Sequence, residues 1–486
     1  MQRQIVTGTR LGGMEYSDVR QRTAGTRLAA RPGFEPNASK LRRPLTRPGT
    51  VARSSLVSRL TRDDPRPIVS LVAPSGYGKT TLLSQWAERS GQAFAWVSVD
   101  EHDNDPKVLL SYVAEALDRI QPVDERVFEA LASPVSSVRG SVVPRLGSAF
   151  WSMTVPLVLV LDDVHLLYKT ECRDALSLLA DNVPGGSQLV LAGRNEPPLR
   201  IPRLRAEGRI TEIGPGDLSL TREEAILLLH AAGVSLGGDD LTALHQRTEG
   251  WPAGLYLAAL CLRDPGSPGT AASFGGGGRL VSQYMETEFL ARISPRHRMF
   301  LTRTAVLDRM CGPLCEAVLE QPGSAATLAE LTRLNLLLVP LDRRRVWYRY
   351  HRLFRDMLLA ELERREPGLV PVLRRRAARW CLRHGRPEEA LEYFMAAGDE
   401  DAAASLRGEL TQEPAFGAPG PSSLTAAELR VLPLLATHLS FPEIGRETSL
   451  SQHTVKSQAM SIYRKLGASS RHQAVTRARD LGLLPG

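Results

Sequence analysis

Long apolar runs are missing from this 486-residue sequence. Its most apolar stretches, residues 155–161 and 334–341, fall well short of the roughly 20 residues a membrane span requires, so no membrane helix is expected. The opening residues, MQRQIVTGTRLGG, lack the apolar core of roughly 7–15 residues that marks a secretory signal. Cysteine is scarce: the five present are odd in number and scattered, which excludes a disulfide scaffold and predicts a reduced, cytoplasmic protein. Cys311 and Cys315 could share a helix face, but no second Cys/His pair lies near enough to complete a metal site. Hydrophobic content of 43% and charged content of 23% exclude wholesale disorder and collagen. At roughly 150 residues per domain the chain has room for about three domains, far more than a lone DNA-binding module needs.

Acidic residues are few at two places. Residues 1–60 hold 12 Lys/Arg against 3 Asp/Glu, leaving 49 against 50 for the rest, so the net charge of +8 resides in the N-terminal stretch and by itself says nothing of DNA. Residues 451–479 hold six basic residues (Lys456, Arg464, Lys465, Arg471, Arg477 and Arg479) and no acidic one. That local asymmetry points to nucleic acid.

Residues 1–40 are rich in Arg, Gly and Thr without apolar periodicity and read as a disordered basic tail. From Pro67 short apolar runs alternate with helical segments: 68–72, 94–99, 157–161, 188–192 and 210–213. Strands alternating with helices predict a parallel α/β sheet within residues 41–215. After Gly214 no further strands are expected, and Thr221 with Glu224 forms a capping box opening a helical domain, 216–278. That domain ends in Gly275–Gly278, four glycines suited to a mobile connector. A second helical block spans 279–365. A short segment, 366–410, holds a helical hairpin around a Gly-Arg-Pro turn, and residues 411–423, rich in Pro, Gly and Ser, form a linker.

The strand at Ile68–Val72 runs into Ala73-Pro74-Ser75-Gly76-Tyr77-Gly78-Lys79-Thr80 and then into the helical Thr81 segment, the strand, loop and helix order of a P-loop. Gly76 and Gly78 let successive N–H groups turn toward one anion, and the following helix adds its positive end. Lys79 is placed to reach the β- and γ-phosphates of ATP, and Thr80 to ligate Mg²⁺. About 85 residues later a buried strand ends in Asp162 and Asp163. Asp162 is expected to hold Mg²⁺ and Asp163 to polarise the attacking water. Arg194, just past the fourth strand, is a candidate γ-phosphate sensor or else a surface Arg in a Pro-rich loop.

Residues 424–486 read as four short helices, with capping boxes at Thr425/Glu428 and Ser440/Glu443. The second helix, a turn and the helix opening near Ser451 have helix-turn-helix spacing, with Ile444, Val455, Ile462 and Leu466 as the apolar stripe. Lys456, Ser457 and Met460 point away from that stripe toward base edges, while Thr454, Arg464, Lys465 and Arg471 suit phosphates.

Leu424-Thr-Ala-Ala-Glu-Leu-Arg-Val-Leu432, Thr454-Val-Lys456, Ile462-Tyr-Arg-Lys-Leu-Gly467 and Leu481-Gly-Leu-Leu484 resemble the LuxR-type DNA-binding domain. Residues 40–400 resemble the large ATP-dependent LuxR regulators of the MalT-like type, members of the STAND class of signalling NTPases. The residues that carry this likeness are KLRRPLTRPGTVARSSLVSRL, WVSVDEHDNDP, Gly250-Trp-Pro-Ala-Gly254, RTAVLDRMCGPLCEAVL and Tyr348-Arg-Tyr-His-Arg-Leu-Phe354. The resemblance implies a winged-helix domain at 279–365, contact of Pro252 with the base or ribose, and contact of His351 with the β-phosphate of ADP. It also implies an ADP-held closed monomer that an inducer and ATP open into an oligomer, with slow hydrolysis resetting it. The chain departs from the family in length, since only about 55 residues stand where relatives carry several hundred residues of helical repeats. Gln458 also replaces a usual His, and His438 and Gly445 a usual Gly and Ala.

The expected fold is thus multidomain, α/β plus all-α: a P-loop parallel sheet, helical and winged-helix domains, a short helical hairpin and a four-helix helix-turn-helix domain. The expected function is an ATP-dependent transcriptional regulator acting as a slow ATPase switch. Its expected partners are double-stranded DNA, copies of itself, RNA polymerase and an inducer of unknown identity. The alternative is a DNA-binding regulator that holds nucleotide without turnover. A helicase or motor is disfavoured, because no helicase-like motif follows the P-loop strands.

Overall fold

The computed structural model describes residues 35–484 apart from 48, 62–64, 264–273, 292, 335, 412–423, 438, 449–451 and 469; the side chains at 411, 426–427, 442, 446, 452–454, 457 and 464 also lie outside it. The chain forms two compact units, Met1–His384 and Gly385–Gly486.

In the first unit, strands β1 (Ile68–Val72), β2 (Ala93–Ser98), β3 (Leu157–Asp162), β4 (Gln188–Gly193) and β5 (Ile210–Ile213) make one parallel sheet in the order β2-β3-β4-β1-β5. Each lies within a residue of an apolar run in the sequence. Those runs are continuous, not alternating, because β3 and β4 are buried along their whole length, as strands covered on both faces must be. Helices Pro106–Asp118, Val143–Trp151 and Thr170–Asp181 supply part of that cover through Leu109, Leu110, Leu146, Phe150, Leu176 and Leu179. The C-terminal ends of β1, β3 and β4 therefore lie side by side and present Ala73, Asp162 and Arg194 at one edge.

The end of the stretch expected as a tail, residues 35–40, is ordered against the sheet domain. Lys40 places its ammonium 2.6 Å from Asp103 and 2.9 Å from Asp100, its carbonyl accepts from the Ser98 amide, and Leu41 joins the core. Residues 35–41 thus belong to the sheet domain, and residues 1–34 lie outside the described residues.

Beyond β5 the chain turns helical. Thr221 and Glu224 close the predicted capping box on the helix Arg222–Ala231, a device worth about 1 kcal/mol. Helices Gly238–Thr248 and Pro252–Arg263 follow. Within the four glycines expected as a mobile connector, Gly276 is closely packed: a Cβ there would collide with the carbonyl of Leu353 and the amide of Met357, so that position admits only glycine. Strands also return after Gly214. The antiparallel hairpin β6 (Leu338–Pro340) and β7 (Tyr348–Tyr350) stands between helices Ser324–Arg333 and Arg352–Arg365, giving a winged-helix arrangement. The segment 366–410, expected as one helical hairpin, is divided, because the helix Leu369–Arg383 belongs to the first unit. There Arg376 donates to the Val318 carbonyl and pairs with Glu320.

In the second unit, helices Pro387–Ala396 and Glu400–Thr411 pack together, and the four expected helices are Ala426–Leu435, Phe441–Thr448, Gln452–Lys465 and Arg471–Asp480. Val431, Leu432, Leu435, Ile444, Val455, Ala459, Ile462 and Leu466 form their common core, which includes the predicted stripe. No described helix of either unit is long and apolar enough to cross a membrane.

Candidate functional site

Gly76 and Gly78 take left-handed backbone angles, φ 77° and 79°, which strain any residue with a side chain. Their turns leave the backbone N–H groups of Gly76, Gly78 and Lys79 donating to no acceptor among the described residues, ahead of the helix Lys79–Arg89. Pro74 and Tyr77 are buried and Thr81 is half-buried in the first helical turn. The Lys79 ammonium folds onto the loop, 2.8 Å from the Ala73 carbonyl and 3.1 Å from that of Pro74. Burial pulls its pKa down to about 8, against the upward pull of Asp163 and Asp162.

The hydroxyl of Thr80 donates to Asp162 Oδ2 at 2.7 Å. Burial pushes the Asp162 carboxyl up to about 6, the neighbouring Asp163 charge adds to this, and the Thr80 bond opposes it. Asp163 sits at φ 60°, a strained angle for a non-glycine residue, and its amide donates to Asp162 Oδ1 at 3.0 Å. Its own carboxyl is also raised by burial, with Lys79 and Arg194 pulling the other way. Free loop amides, a buried ammonium and a hydroxyl–carboxylate pair suit a magnesium nucleotide: the amides and Lys79 face phosphate, and Thr80 with Asp162 can hold the cation. No cluster of three or more His, Cys, Asp or Glu residues that could hold a metal ion occurs among the described residues.

Residues that sequence reasoning passed over clamp this loop. Trp251, fully buried, donates from Nε1 to the Ser75 carbonyl at 3.1 Å, and the Ala253 amide donates to the Gly76 carbonyl at 3.1 Å. A Cβ on Gly76 would stand 2.5 Å from that of Ala253. Pro252, between them in sequence, begins the helix Pro252–Arg263. The Trp251 ring also packs edge-on against Tyr284, Phe289 and His351. His351 is buried, donates through Nε2 to the Thr248 carbonyl (2.9 Å), and has no partner for Nδ1. Burial lowers its pKa, against the upward pull of Glu249 and the Thr248 carbonyl.

Arg194 is brought to the site, but its guanidinium is engaged: Nη1 donates to the Glu288 carbonyl and Nη2 to Glu288 Oε2, both at 2.7 Å. The same Oε2 accepts from the Ser75 hydroxyl at 2.8 Å. Lys79, Thr80, Asp162, Asp163 and Arg194 therefore converge as expected, joined by Trp251, Tyr284 and Glu288. Trp251 lay within a motif already singled out; Tyr284 and Glu288 carried no local signal.

In the second unit Lys456 is exposed and Met460 is 56% exposed, on the side of their helix away from Val455, Ala459 and Ile462. The side chains of Thr454, Ser457 and Arg464 lie outside the described residues. Two expected phosphate contacts have other employment. Lys465 pairs with the buried Glu428 at 2.7 Å. Arg471 donates to the carbonyls of Leu434, Leu435, Thr437 and Leu439, closing the end of the helix Ala426–Leu435. Fork-shaped guanidinium donors suit such a cap, and little of the group is left for DNA.

Sheet, phosphate loop, winged helix and helix-turn-helix together define a class: a P-loop NTPase fold joined to a DNA-binding domain. The family comparisons agree segment by segment. The AAA domain family matches residues 62–199, the MalT winged helix domain residues 286–370, and the bacterial regulatory proteins of the luxR family residues 422–478. The chain is 32% identical over 375 residues to the serine/threonine-protein kinase PknK of Mycobacterium tuberculosis, covering 76% of this chain and 34% of that one. It is 32% identical over 370 residues to the HTH-type transcriptional regulator MalT of Klebsiella pneumoniae, 74% of this chain and 40% of that one. Against MalT of Vibrio cholerae the identity is 28% over 444 residues, 87% and 47%. The chain is a MalT-like protein of the LuxR family, and it spans about a third to a half of the length of the curated relatives it matches.

Proposed function

We propose that this chain is a cytoplasmic, ATP-dependent transcriptional regulator in which exchange of ADP for ATP, followed by slow hydrolysis, controls self-assembly and sequence-specific binding to double-stranded DNA. The observation that carries the reading is the clamp on the phosphate loop. Ser75 and Gly76 are held by Trp251 and Ala253 of the helical region, and Arg194 by Glu288 near the winged helix. Whatever binds the loop must therefore be felt by both segments. A nucleotide biases such an arrangement only through differential affinity for its two states.

Lys79 and the loop amides would hold the phosphates, Thr80 and Asp162 the Mg²⁺. Bound ATP supplies a transferable phosphoryl group and the added charge that distinguishes it from ADP. Asp163 would orient a water and take its proton, and Pro252 would contact the base or ribose; His351 would contact the β-phosphate of ADP through Nδ1, which must carry a proton to do so because Nε2 donates to the Thr248 carbonyl. Lys456, Ser457 and Met460 would read bases, with Thr454 and Arg464 on phosphates. RNA polymerase and an inducer complete the expected partners.

The engagement of Arg194 with Glu288 also favours a second reading, in which nucleotide is held without turnover. Phosphate release from the full chain and from Lys79→Ala separates the two. The switch predicts slow release that the substitution abolishes; equal release from both supports retention without turnover.

A further inference from the structure

Resting on the nucleotide reading above, we propose that Glu288 sets the preference of this site between nucleoside diphosphate and triphosphate, by competing with a terminal phosphate for Arg194 and Ser75. Glu288 lies in the five-residue π turn Glu286–Leu290 that extends the helix Arg279–Met285. Such a turn inserts a residue into the helical ladder and re-aims the side chains on it, and it recurs at functional positions. Here one oxygen of the re-aimed carboxylate takes both the Ser75 hydroxyl at 2.8 Å and Arg194 Nη2 at 2.7 Å, while the backbone carbonyl of Glu288 takes Nη1. The Tyr284 hydroxyl, one helical turn earlier, stands 3.4 Å from Ser75 Oγ.

The charges around the loop make the contact selective. Lys79 and Arg194 face Asp162, Asp163 and Glu288, so the site carries one negative charge in excess before any ligand arrives. A diphosphate can be held by the loop amides and Lys79, none of which Glu288 occupies. A triphosphate adds a further anionic group whose natural partner is the Arg194 fork, and Glu288 holds that fork by two bonds. Acceptance of the triphosphate therefore requires Glu288 to withdraw, and the turn it belongs to leads into the winged helix. A salt bridge that merely joined two segments would weaken both nucleotides alike or neither.

Glu286 on the same turn provides the contrast. Its carboxylate pairs with Arg298 at 2.6 Å, and Arg298 in turn reaches Glu361, rather than Arg194 or Ser75.

The test is equilibrium binding of fluorescent ADP and of a non-hydrolysable ATP analogue, with Mg²⁺, to the full chain and to Glu288→Gln, Glu288→Asp and Glu286→Gln. Glu288→Gln should tighten the triphosphate about tenfold and leave the diphosphate within about twofold, the size expected for removing one like charge near a half-exposed site. Glu288→Asp should move the ratio in the same direction by a smaller factor, because the shorter carboxylate cannot span both partners. Glu286→Gln should leave the ratio unchanged. An unchanged ratio in both Glu288 variants while both nucleotides bind, or an equal shift in Glu286→Gln, overturns the proposal. Failure of the unsubstituted chain to bind either nucleotide overturns the reading of the site itself.

Discussion

The indole N–H of Trp251 donates to the carbonyl oxygen of Ser75 across 3.1 Å, so a fully buried side chain of the helical region grips the phosphate loop by its backbone. Trp251→Ala should cost about 3–5 kcal/mol of stability, the usual range for emptying a buried tryptophan site. Trp251→Phe keeps most ring contacts and loses the hydrogen bond, for about 1 kcal/mol. Denaturant unfolding of the three proteins checks both figures. Equal losses would mean that packing with Tyr284, Phe289 and His351 contributes nothing.

Lys79 makes the opposite prediction for stability. Its buried ammonium meets two carbonyls of its own loop, and its pKa is depressed to about 8 by burial. Lys79→Met should weaken nucleotide binding by about a hundredfold or more, yet leave the unliganded chain at least as stable, because a buried charge is replaced by an apolar group of similar length. Titration calorimetry and a thermal scan of the same samples give the two readouts.

Much of this was legible in the sequence, and the parts that were not share a cause. The five parallel strands announced themselves as continuous apolar runs, and Thr221 and Thr425 announced their helices through the Glu three residues later. Lys79, Thr80 and Asp162 were legible because strand, loop and helix follow in order. The bond from Arg194 to Glu288 spans 94 residues, and nothing local marks either partner for the other. The basic character of residues 451–479 likewise said nothing of Glu428, which takes Lys465 from 37 residues away. The hairpin β6–β7 was hidden because strands of three residues leave no period. Gly276 was misread because close packing and mobility call for the same residue.

Glu428 should make the C-terminal unit sensitive to acid. Burial would raise its carboxyl, but Lys465, the Thr425 amide and the Ser461 hydroxyl together hold it down to about 2, against 4.5 for the free side chain. A depressed value means that the network contributes stability above about pH 4.5 and loses it progressively as pH falls toward 2. Because the Lys465 side of the network is partly exposed, solvent screening leaves an effect on the order of 1–2 kcal/mol. Hydrogen exchange of residues 424–484 in the full chain between pH 6 and pH 3 should show the loss, and Glu428→Gln should flatten it.

The exposed and the engaged cations of that unit should separate in DNA binding. Lys456→Ala should relax sequence selectivity without loss of fold, whereas Arg464→Ala should weaken all sequences alike and flatten the salt dependence. Arg471→Ala should instead destabilise the unit by about 2 kcal/mol, since it strips the donors from four carbonyls at a helix end. Gel shifts at several salt concentrations, paired with thermal melts, distinguish the three. Unaltered DNA binding in both Lys456→Ala and Arg464→Ala would remove this helix from the DNA interface.

Sedimentation velocity of the full chain in Mg-ADP and in a non-hydrolysable Mg-ATP analogue tests the central claim most directly. The account predicts a monomer in the diphosphate and a larger, concentration-dependent assembly in the triphosphate, with an inducer supplied if the triphosphate alone does not suffice. Identical sedimentation in both nucleotides, each demonstrably bound and with every inducer tried, would contradict it.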